Sequence, residues 1–245
     1  MATSTTVAEA TPMPITGVLL HADEVTMSMT AAGRNECGLV TTSELQVVES
    51  SAEVRVEARE RPVPTTTGGT GVVCLDVAGA RTVKFGARLE QPLGDRTIVD
   101  AATGSAVRPV RAGDQLMLTT APSDWVSSEE WFSSTADTAD WTVRFGPADQ
   151  PGMFYGVSLS MEWGYDCEAL ASRFDPQATS RPTVVRGLDG RLIEQPGWLQ
   201  LFWQENGACI QMVGFGFCTP TGCQAIDRDQ LAALAENLAP ATTTS

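Results

Sequence analysis

Apolar and polar residues alternate with a period of two in three stretches of the first half of the chain. Val25, Met27 and Met29 alternate with polar neighbours, and residues 54–58 and 83–89 repeat the pattern. Such alternation is typical of strands that bury one side in an antiparallel sheet. No helical pattern interrupts these strands, so we predict an all-β N-terminal sandwich over residues 15–120.

An aromatic-rich hairpin is the clearest local pattern in the second half. Residues 198–203 form one apolar strand and residues 209–215 a second, with Glu205-Asn206-Gly207 between them. Glycine supplies the positive φ that a tight hairpin turn requires. Residues 141–145 and 153–163 also have strand patterns, so we predict a curved antiparallel sheet.

Two helices are predicted beside this sheet. Asp166 is a good N-cap for a helix that begins at Cys167, and Pro176 ends it. Asp227 and Gln230 have the spacing of a capping box, and leucines at helical spacing follow them. The single apolar stripe of this C-terminal helix should lie on the sheet. The second domain is therefore predicted to be α+β.

The periodicity fades between the two halves, where Ser, Thr and Asp become frequent. Ser123 or Asp124 can begin a short helical turn there. Trp125, Trp131 and Trp141 are expected to pack in the seam between the domains, and an exposed glycan or peptide site is the alternative. The predicted order is a disordered linker (1–14), the β-sandwich domain (15–120), a linker (121–140), the α+β domain (141–240) and a disordered tail (241–245).

Short motifs follow one another between residues 185 and 238. They are Val185-Arg186-Gly187, Gly190-Arg191, Gly197-Trp198-Leu199-Gln200-Leu201, Trp203-Gln204-Glu205-Asn206-Gly207, Asp229-Gln230-Leu231 and Leu234-Ala235-Glu236-Asn237-Leu238. In this order they resemble the small extracytoplasmic domains of unknown function found beside anti-sigma factors and in lipoproteins of Gram-positive bacteria, especially actinobacteria. The resemblance implies an exported, lipoprotein-like protein whose sheet is similar to a half-barrel lipoprotein carrier. It implies no catalytic residues.

The charge balance argues against several partners. Sixteen Lys and Arg residues stand against thirty Asp and Glu residues, and the formal net charge is −14. Such a chain repels nucleic-acid backbones and anionic lipid surfaces. We expect a solvated acidic surface that keeps an exported protein soluble. No apolar run is long enough to predict a membrane span.

The cysteines indicate an oxidising compartment. Their number is even, no C-x-x-C motif occurs, and His21 is the only histidine, which disfavours zinc. Sequence cannot choose among the possible pairings, but Cys37–Cys74 and Cys218–Cys223 are favoured, and Cys167–Cys209 then follows by elimination. We therefore expect extracytoplasmic disulfides. No signal peptide or anchor is visible, so we expect it to lie outside this sequence.

No enzyme template fits the sequence. His21 is the only histidine base and no G-x-S-x-G elbow accompanies it. The glycine-rich residues 67–71 lack the ending of a phosphate loop, and the adjacent Glu129 and Glu130 would diverge. No catalytic, cofactor-binding or metal-binding residue is assigned. The expected function is a non-enzymatic extracytoplasmic binding or sensory module of a bacterial cell envelope, and the alternative is a divergent secreted hydrolase with an unrecognised site.

The second domain has more apolar strand surface than its short closing helix, ~16 Å long, can cover. Part of the sheet is therefore expected to stay open as a groove for an acyl chain, a hydrophobic peptide or a partner domain from the envelope. The alternative is that the sheet packs on the first domain or on the helix that begins at Cys167. Oligomeric state stays open. The candidate groove residues are Tyr155, Leu159, Trp198, Trp203, Met212 and Phe215.

Overall fold

A computed structural model describes residues 9–34, 41–63, 81–148, 156–173, 178–219 and 222–241, with the backbone alone for Glu129, 217–219 and 222–224. The chain is mostly β, with several sheets and a curled half-barrel. It divides into two units. The first is Met1–Pro109 with Ser134–Ala136, and the second is Val110–Ser133 with Asp137–Ser245.

The described part of the first unit is built from two groups of strands. One sheet has the order β1-β5-β7-β8 with β4 beside β5, and β5 and β7 run parallel. The other has the order β6-β3-β2. The strands are β1 (Thr11–Met13), β2 (Ile15–Leu20), β3 (Thr26–Gly33), β4 (Thr41–Glu49), β5 (Glu53–Pro62), β6 (Arg81–Arg88), β7 (Thr97–Asp100) and β8 (Ala106–Val107).

The period-two pattern of the first half is confirmed by burial. Met27 and Met29 of β3 and Val54 and Val56 of β5 are buried, and they belong to one apolar cluster to which both sheets contribute. Phe85 of β6 packs against the same cluster. The alternation therefore does form the core of this unit.

The carboxylate of Glu60 on β5 is buried at the edge of this core. Its oxygens accept hydrogen bonds from Thr41 Oγ1 at 2.6 Å, Arg81 Nη2 at 2.5 Å and the Arg34 N–H at 2.9 Å. Burial opposes ionisation of Glu60, but these hydrogen bonds and the charge of Arg81 outweigh it and hold its pKa below the ordinary value. Glu60 is therefore a structural anion.

The second unit is organised by a seven-stranded sheet of order β11-β12-β13-β17-β16-β15-β14. β10 pairs with β20, and β18 with β19. The elements are β9 (Val110–Arg111), a 3-10 turn (Ala112–Asp114), β10 (Leu116–Leu118), β11 (Trp125–Ser134), β12 (Ala139–Pro147), β13 (Gly156–Trp163), α1 (Cys167–Ala171), β14 (Thr179–Val185), β15 (Leu188–Gln195), β16 (Trp198–Glu205), β17 (Ala208–Phe215), β18 (Phe217–Thr219), β19 (Gly222–Gln224), α2 (Arg228–Glu236) and β20 (Leu238–Pro240).

The predicted hairpin turn and the N-terminal caps of both helices are confirmed, whereas Pro176, expected to end the first helix, lies outside the described residues. Asn206 and Gly207 have φ values of 51° and 74°, the two successive positive angles of a tight hairpin turn. Asp166 caps α1 by accepting from the Glu168 N–H at 3.0 Å. Asp227 and Gln230 form the capping box of α2.

The two helices lie on opposite faces of the sheet. Residues that are directly paired in an antiparallel ladder share a face, so Leu159, Met212 and Leu201 form one set. We call this side the α2 face, because Ile226 and Leu231 press against Gly214 there, where an added Cβ would lie 2.9 Å from Ile226 Cβ. We call the other side the α1 face, since a disulfide joins α1 to Cys209 on it.

Arg186 ties the end of α2 to the hairpin. Its Nη1 donates to the Ala235 carbonyl in the last turn of α2 at 3.3 Å and to the Leu238 carbonyl of β20 at 2.6 Å. Its Nε and Nη2 donate to the two carboxylate oxygens of Glu205 at 2.9 and 3.1 Å. Burial opposes ionisation of Glu205, but the bonds from Arg186 and Trp203 hold its pKa below the ordinary value.

Two segments differ in structure from the sequence-based expectation. Residues 11–13, expected in the N-terminal linker, form β1 and pair with β5. Residues 121–140, expected to be a linker with a short helical turn, contain β11 and the start of β12. β11 is mostly exposed on both faces, so it needs no apolar alternation and its Ser-rich sequence looked like a linker.

Candidate functional site

The six predicted groove residues divide between the two faces of the sheet. Leu159, Trp203 and Met212 lie fully buried on the α2 face. Trp198 and Phe215 are directly paired on the α1 face. Tyr155 lies outside the described residues. Because opposite faces of one sheet cannot line a single groove, the described five residues do not form one site.

The exposed aromatic surface lies on the α1 face. Trp131 and Trp198 are 44% and 46% exposed. The Arg144 guanidinium carbon lies 5.1 Å from the centre of the Trp131 ring and 6.0 Å from that of Phe215. The ring centres of Phe215 and Trp198 are 6.3 Å apart. We call these four residues the aromatic strip.

The register of the strands explains why the strip is continuous. Phe215 is paired with Trp198 on one side and with Gly156 on the other. Gly156 has no side chain to separate Phe215 from Arg144, which lies on the next strand. Its φ of +144° and the 2.1 Å approach of an added Cβ to the Phe145 carbonyl show that this position requires glycine.

A row of uncharged polar side chains shares the α1 face with the strip. Thr142, Ser160 and Gln211 are directly paired across β12, β13 and β17, so they share the α1 face. The hydroxyls of Thr142 and Ser160 are 2.9 Å apart, and Gln211 Nε2 donates to Gln200 Oε1 at 2.9 Å. Gln200 is 1% exposed and its Nε2 has no hydrogen-bond acceptor among the described residues. We call Thr142, Ser160 and Gln211 the polar row.

Two carboxylates continue this face beyond the polar row. Asp140 and Glu162 are directly opposite each other on β12 and β13. Burial raises the pKa of Glu162 above its ordinary value, and the negative charge of Asp140 raises it further. Ser133 Oγ donates a hydrogen bond to Asp140. The pair therefore combines a carboxyl group whose pKa is raised with one that accepts a hydrogen bond.

A shallow cleft of about 290 Å³ lies against α1. Phe202, Pro182 and Ala171 supply apolar walls, and Arg191 supplies a cation that is paired with Glu168. The carboxylate of Asp166 is occupied as the N-cap of α1. The charged groups of the cleft are therefore mostly paired with neighbouring groups of the protein.

The cysteine predictions have different outcomes. The Cys167–Cys209 disulfide is confirmed. Cys218 and Cys223 are opposite each other in the β18–β19 ladder, but their side chains lie outside the described structure. Cys37 and Cys74 lie outside the described residues, so their pairing stays a prediction.

The other polar groups in the described ranges form neither a histidine-carboxylate pair nor a metal site. His21 Nε2 lies 2.9 Å from Ser28 Oγ, and no described carboxylate is hydrogen-bonded to the ring. No group of three or more His, Cys, Asp or Glu residues in the described ranges is arranged to hold a metal ion. Within these ranges, neither helix has the length and apolarity needed to cross a membrane.

Sequence reasoning placed Trp198 and Phe215 in the candidate groove but missed Arg144 and the polar row. Trp131 was expected to pack in the seam between the domains, with an exposed glycan or peptide site as the alternative, and it is 44% exposed. Arg144, Thr142 and Gln211 are single polar residues within strand patterns, so their side chains come together only through the register of three strands. No local motif marks that register.

Comparison with known proteins does not identify a family. No protein-family model matches the chain, and no curated protein or solved structure matches it. The function is therefore inferred from the aromatic strip and the polar row.

Proposed function

We propose that this chain is a non-enzymatic binding module of a bacterial cell envelope and that the aromatic strip binds a neutral glycan. The observation that carries the proposal is the pair of half-exposed tryptophans, Trp131 and Trp198, held in one row by Arg144 and Phe215. Exposed aromatic side chains in a row on one sheet face are typical of a recognition surface.

The chemistry of the strip suits a pyranose chain. The C–H faces of a sugar ring are apolar and pack on indole rings, whereas its hydroxyls require hydrogen-bond partners when water is displaced. Thr142, Ser160 and Gln211 supply hydroxyl and amide groups on the same face as the rings, and all three are partly accessible. The α1 face therefore offers both kinds of contact on one surface.

The dimensions and charge narrow the ligand class. Four strand spacings separate β11 from β16, which is roughly 19 Å at about 4.8 Å per spacing. An oligosaccharide of several units spans this distance. The formal charge of −14 repels anionic polymers, so a neutral chain is favoured.

The cellular setting is part of the proposal. The Cys167–Cys209 disulfide supports an oxidising compartment outside the cytoplasm. The resemblance of residues 185–238 to extracytoplasmic domains beside anti-sigma factors supports the same location. In this proposal the first unit is a β-sandwich and the second an α+β half-barrel with α2 on its α2 face. Besides the glycan, a hydrophobic ligand or another envelope protein is a second class of partner in this proposal.

Titration with chitohexaose, a neutral β-linked oligosaccharide, tests the ligand class. Trp131→Ala and Trp198→Ala should each weaken binding about tenfold, which corresponds to about 1.4 kcal/mol for the loss of one aromatic contact with the sugar. Val184→Ala is the matched control, because Val184 is 68% exposed on the distant edge strand β14. Equal binding by the three variants, or preference for polygalacturonate, would refute the proposal.

One observation favours a second candidate, a divergent glycoside hydrolase. Asp140 and Glu162 stand opposite each other on the glycan-binding face, and the raised pKa of Glu162 suits a general acid. Release of reducing ends from chitohexaose by the native protein, abolished in Glu162→Gln, would support the hydrolase. Binding without product release, retained in Glu162→Gln, would support the binding module.

A further inference from the structure

The two edges of the seven-stranded sheet differ in how they are protected. β14 contains Pro182, which cannot donate a backbone hydrogen bond, and Arg181 beside it forms an ion pair with Glu194. β11 contains no Pro, Gly, Lys or Arg over its ten residues. β14 therefore carries a proline and a basic residue, two of the usual devices that prevent strand pairing, whereas the charged residues of β11 are all acidic.

The residues of β11 are also largely exposed. Val126 and Trp131 are 46% and 44% exposed, and the described side chains between them are exposed as well. In the described structure β11 pairs only with β12. Ten residues at about 3.4 Å each give an edge roughly 34 Å long.

We propose that β11 binds an extended basic segment of another protein, which adds to the sheet as a further strand. Main-chain hydrogen bonds would supply the affinity, and alternate side chains of the partner would supply the specificity. This interaction is separate from glycan binding, because it uses the backbone edge and not the α1 face.

The negative charge of β11 indicates which kind of partner strand can pair with it. Glu129 and Glu130 lie at the centre of β11, and Asp124 precedes it. Two-fold antiparallel pairing of two copies of β11 would place the glutamates of one copy against those of the other, which disfavours a homodimer. The segments of this chain outside the described structure contain no Lys or Arg. A basic segment from a different protein is therefore the complementary partner.

Synthetic peptides of alternating Lys and Val test the chemistry. The Lys-Val peptide should bind at low ionic strength. The same peptide with Glu in place of Lys should not bind, and neither should the Lys-Val peptide with every backbone nitrogen methylated, since that removes the N–H donors from both hydrogen-bonding edges. Equal binding by either comparison peptide, or no binding by any, would overturn the proposal.

Paired proline variants locate the binding edge. Along an edge strand, alternate N–H groups point toward β12 and toward solvent, so Ser127→Pro and Ser128→Pro remove one of each kind. The variant that keeps the native melting temperature should lose Lys-Val peptide binding about tenfold or more. If that variant binds normally, strand addition at β11 is wrong.

A charge variant separates the partner chemistry from self-association. Glu130→Gln keeps an acceptor for the Trp141 indole N–H, which donates to Glu130 at 2.6 Å, and removes one negative charge. It should weaken Lys-Val peptide binding several-fold at low salt, with the melting temperature unchanged. Val184→Ala should bind as the native protein does. If the protein instead forms a concentration-dependent dimer that excludes the peptide, the partner of β11 is a second copy of this chain, and the proposed basic segment is wrong.

Discussion

Trp198 and Trp203 lie on the same strand, β16, but on opposite faces of the sheet, and we predict opposite consequences for their removal. Trp203 is 1% exposed, and its Nε1 donates to Glu205 at 2.9 Å. Trp203→Ala leaves a cavity, for which large aromatic residues typically cost 3–5 kcal/mol, and it removes a donor from Glu205. At about 2–4 °C per kcal/mol, the melting temperature should fall by roughly 6–20 °C.

Trp198→Ala is the matched variant. Trp198 is 46% exposed and contacts Phe215 at 6.3 Å between ring centres. The loss of one exposed aromatic contact should cost about 1 kcal/mol or less. Its effect should instead appear in chitohexaose affinity, which should fall about tenfold.

Thermal unfolding followed by circular dichroism measures the stability of both variants, and calorimetric titration measures binding below their melting temperatures. We expect a stability loss with retained affinity for Trp203→Ala and the reverse for Trp198→Ala. The reasoning is refuted if Trp203→Ala keeps its stability and loses the ligand, since the buried α2 face would then be the binding surface.

Three further predictions concern charged groups. Arg186→Ala should destabilise the protein by about 3 kcal/mol in denaturant unfolding, because Glu205 loses its partly buried partner, and a loss below about 1 kcal/mol would contradict this. Glu60→Gln should cost about 2 kcal/mol near neutral pH. Because the pKa of Glu60 is lowered in the folded protein, the ionised carboxylate stabilises the fold at any pH above the ordinary pKa of glutamate. This stabilisation is lost as pH falls through the lowered pKa, so the difference in unfolding free energy between Glu60→Gln and the native protein should vanish in acid. Because the pKa of Glu162 is raised by burial and by Asp140, native stability falls as pH rises through it. Glu162→Gln should therefore raise the melting temperature near neutral pH and leave it unchanged in acid, and a lowered melting temperature near neutral pH would show that the carboxylate is stabilising.

The elements with a buried face were predictable because burial imposes a period on the sequence. Val54 and Val56 alternate with charged residues for this reason, and Asp227 with Gln230 marks the start of α2 through local hydrogen bonds. β11 was missed because an exposed edge strand buries too little to require such a period.

The candidate site was only partly predictable because it depends on register. Trp198 and Met212 are both apolar residues of neighbouring strands, but a shift of one position decides which face each occupies. The pairing of Trp198 with Phe215 and of Leu201 with Met212 fixes the former pair on the α1 face and the latter on the α2 face. Long-range pairing of this kind leaves no signal within a single strand.

The indole N–H signals in a nitrogen-15 NMR spectrum test glycan binding by the aromatic strip most directly. Trp141 and Trp203 are buried and their indoles donate to Glu130 and Glu205, so they act as internal controls. On titration with chitohexaose, the signals of Trp131 and Trp198 should shift together with one saturation curve, and those of Trp141 and Trp203 should stay in place. Shifts confined to Trp141 and Trp203, or no shift at saturating ligand, would contradict the proposed function.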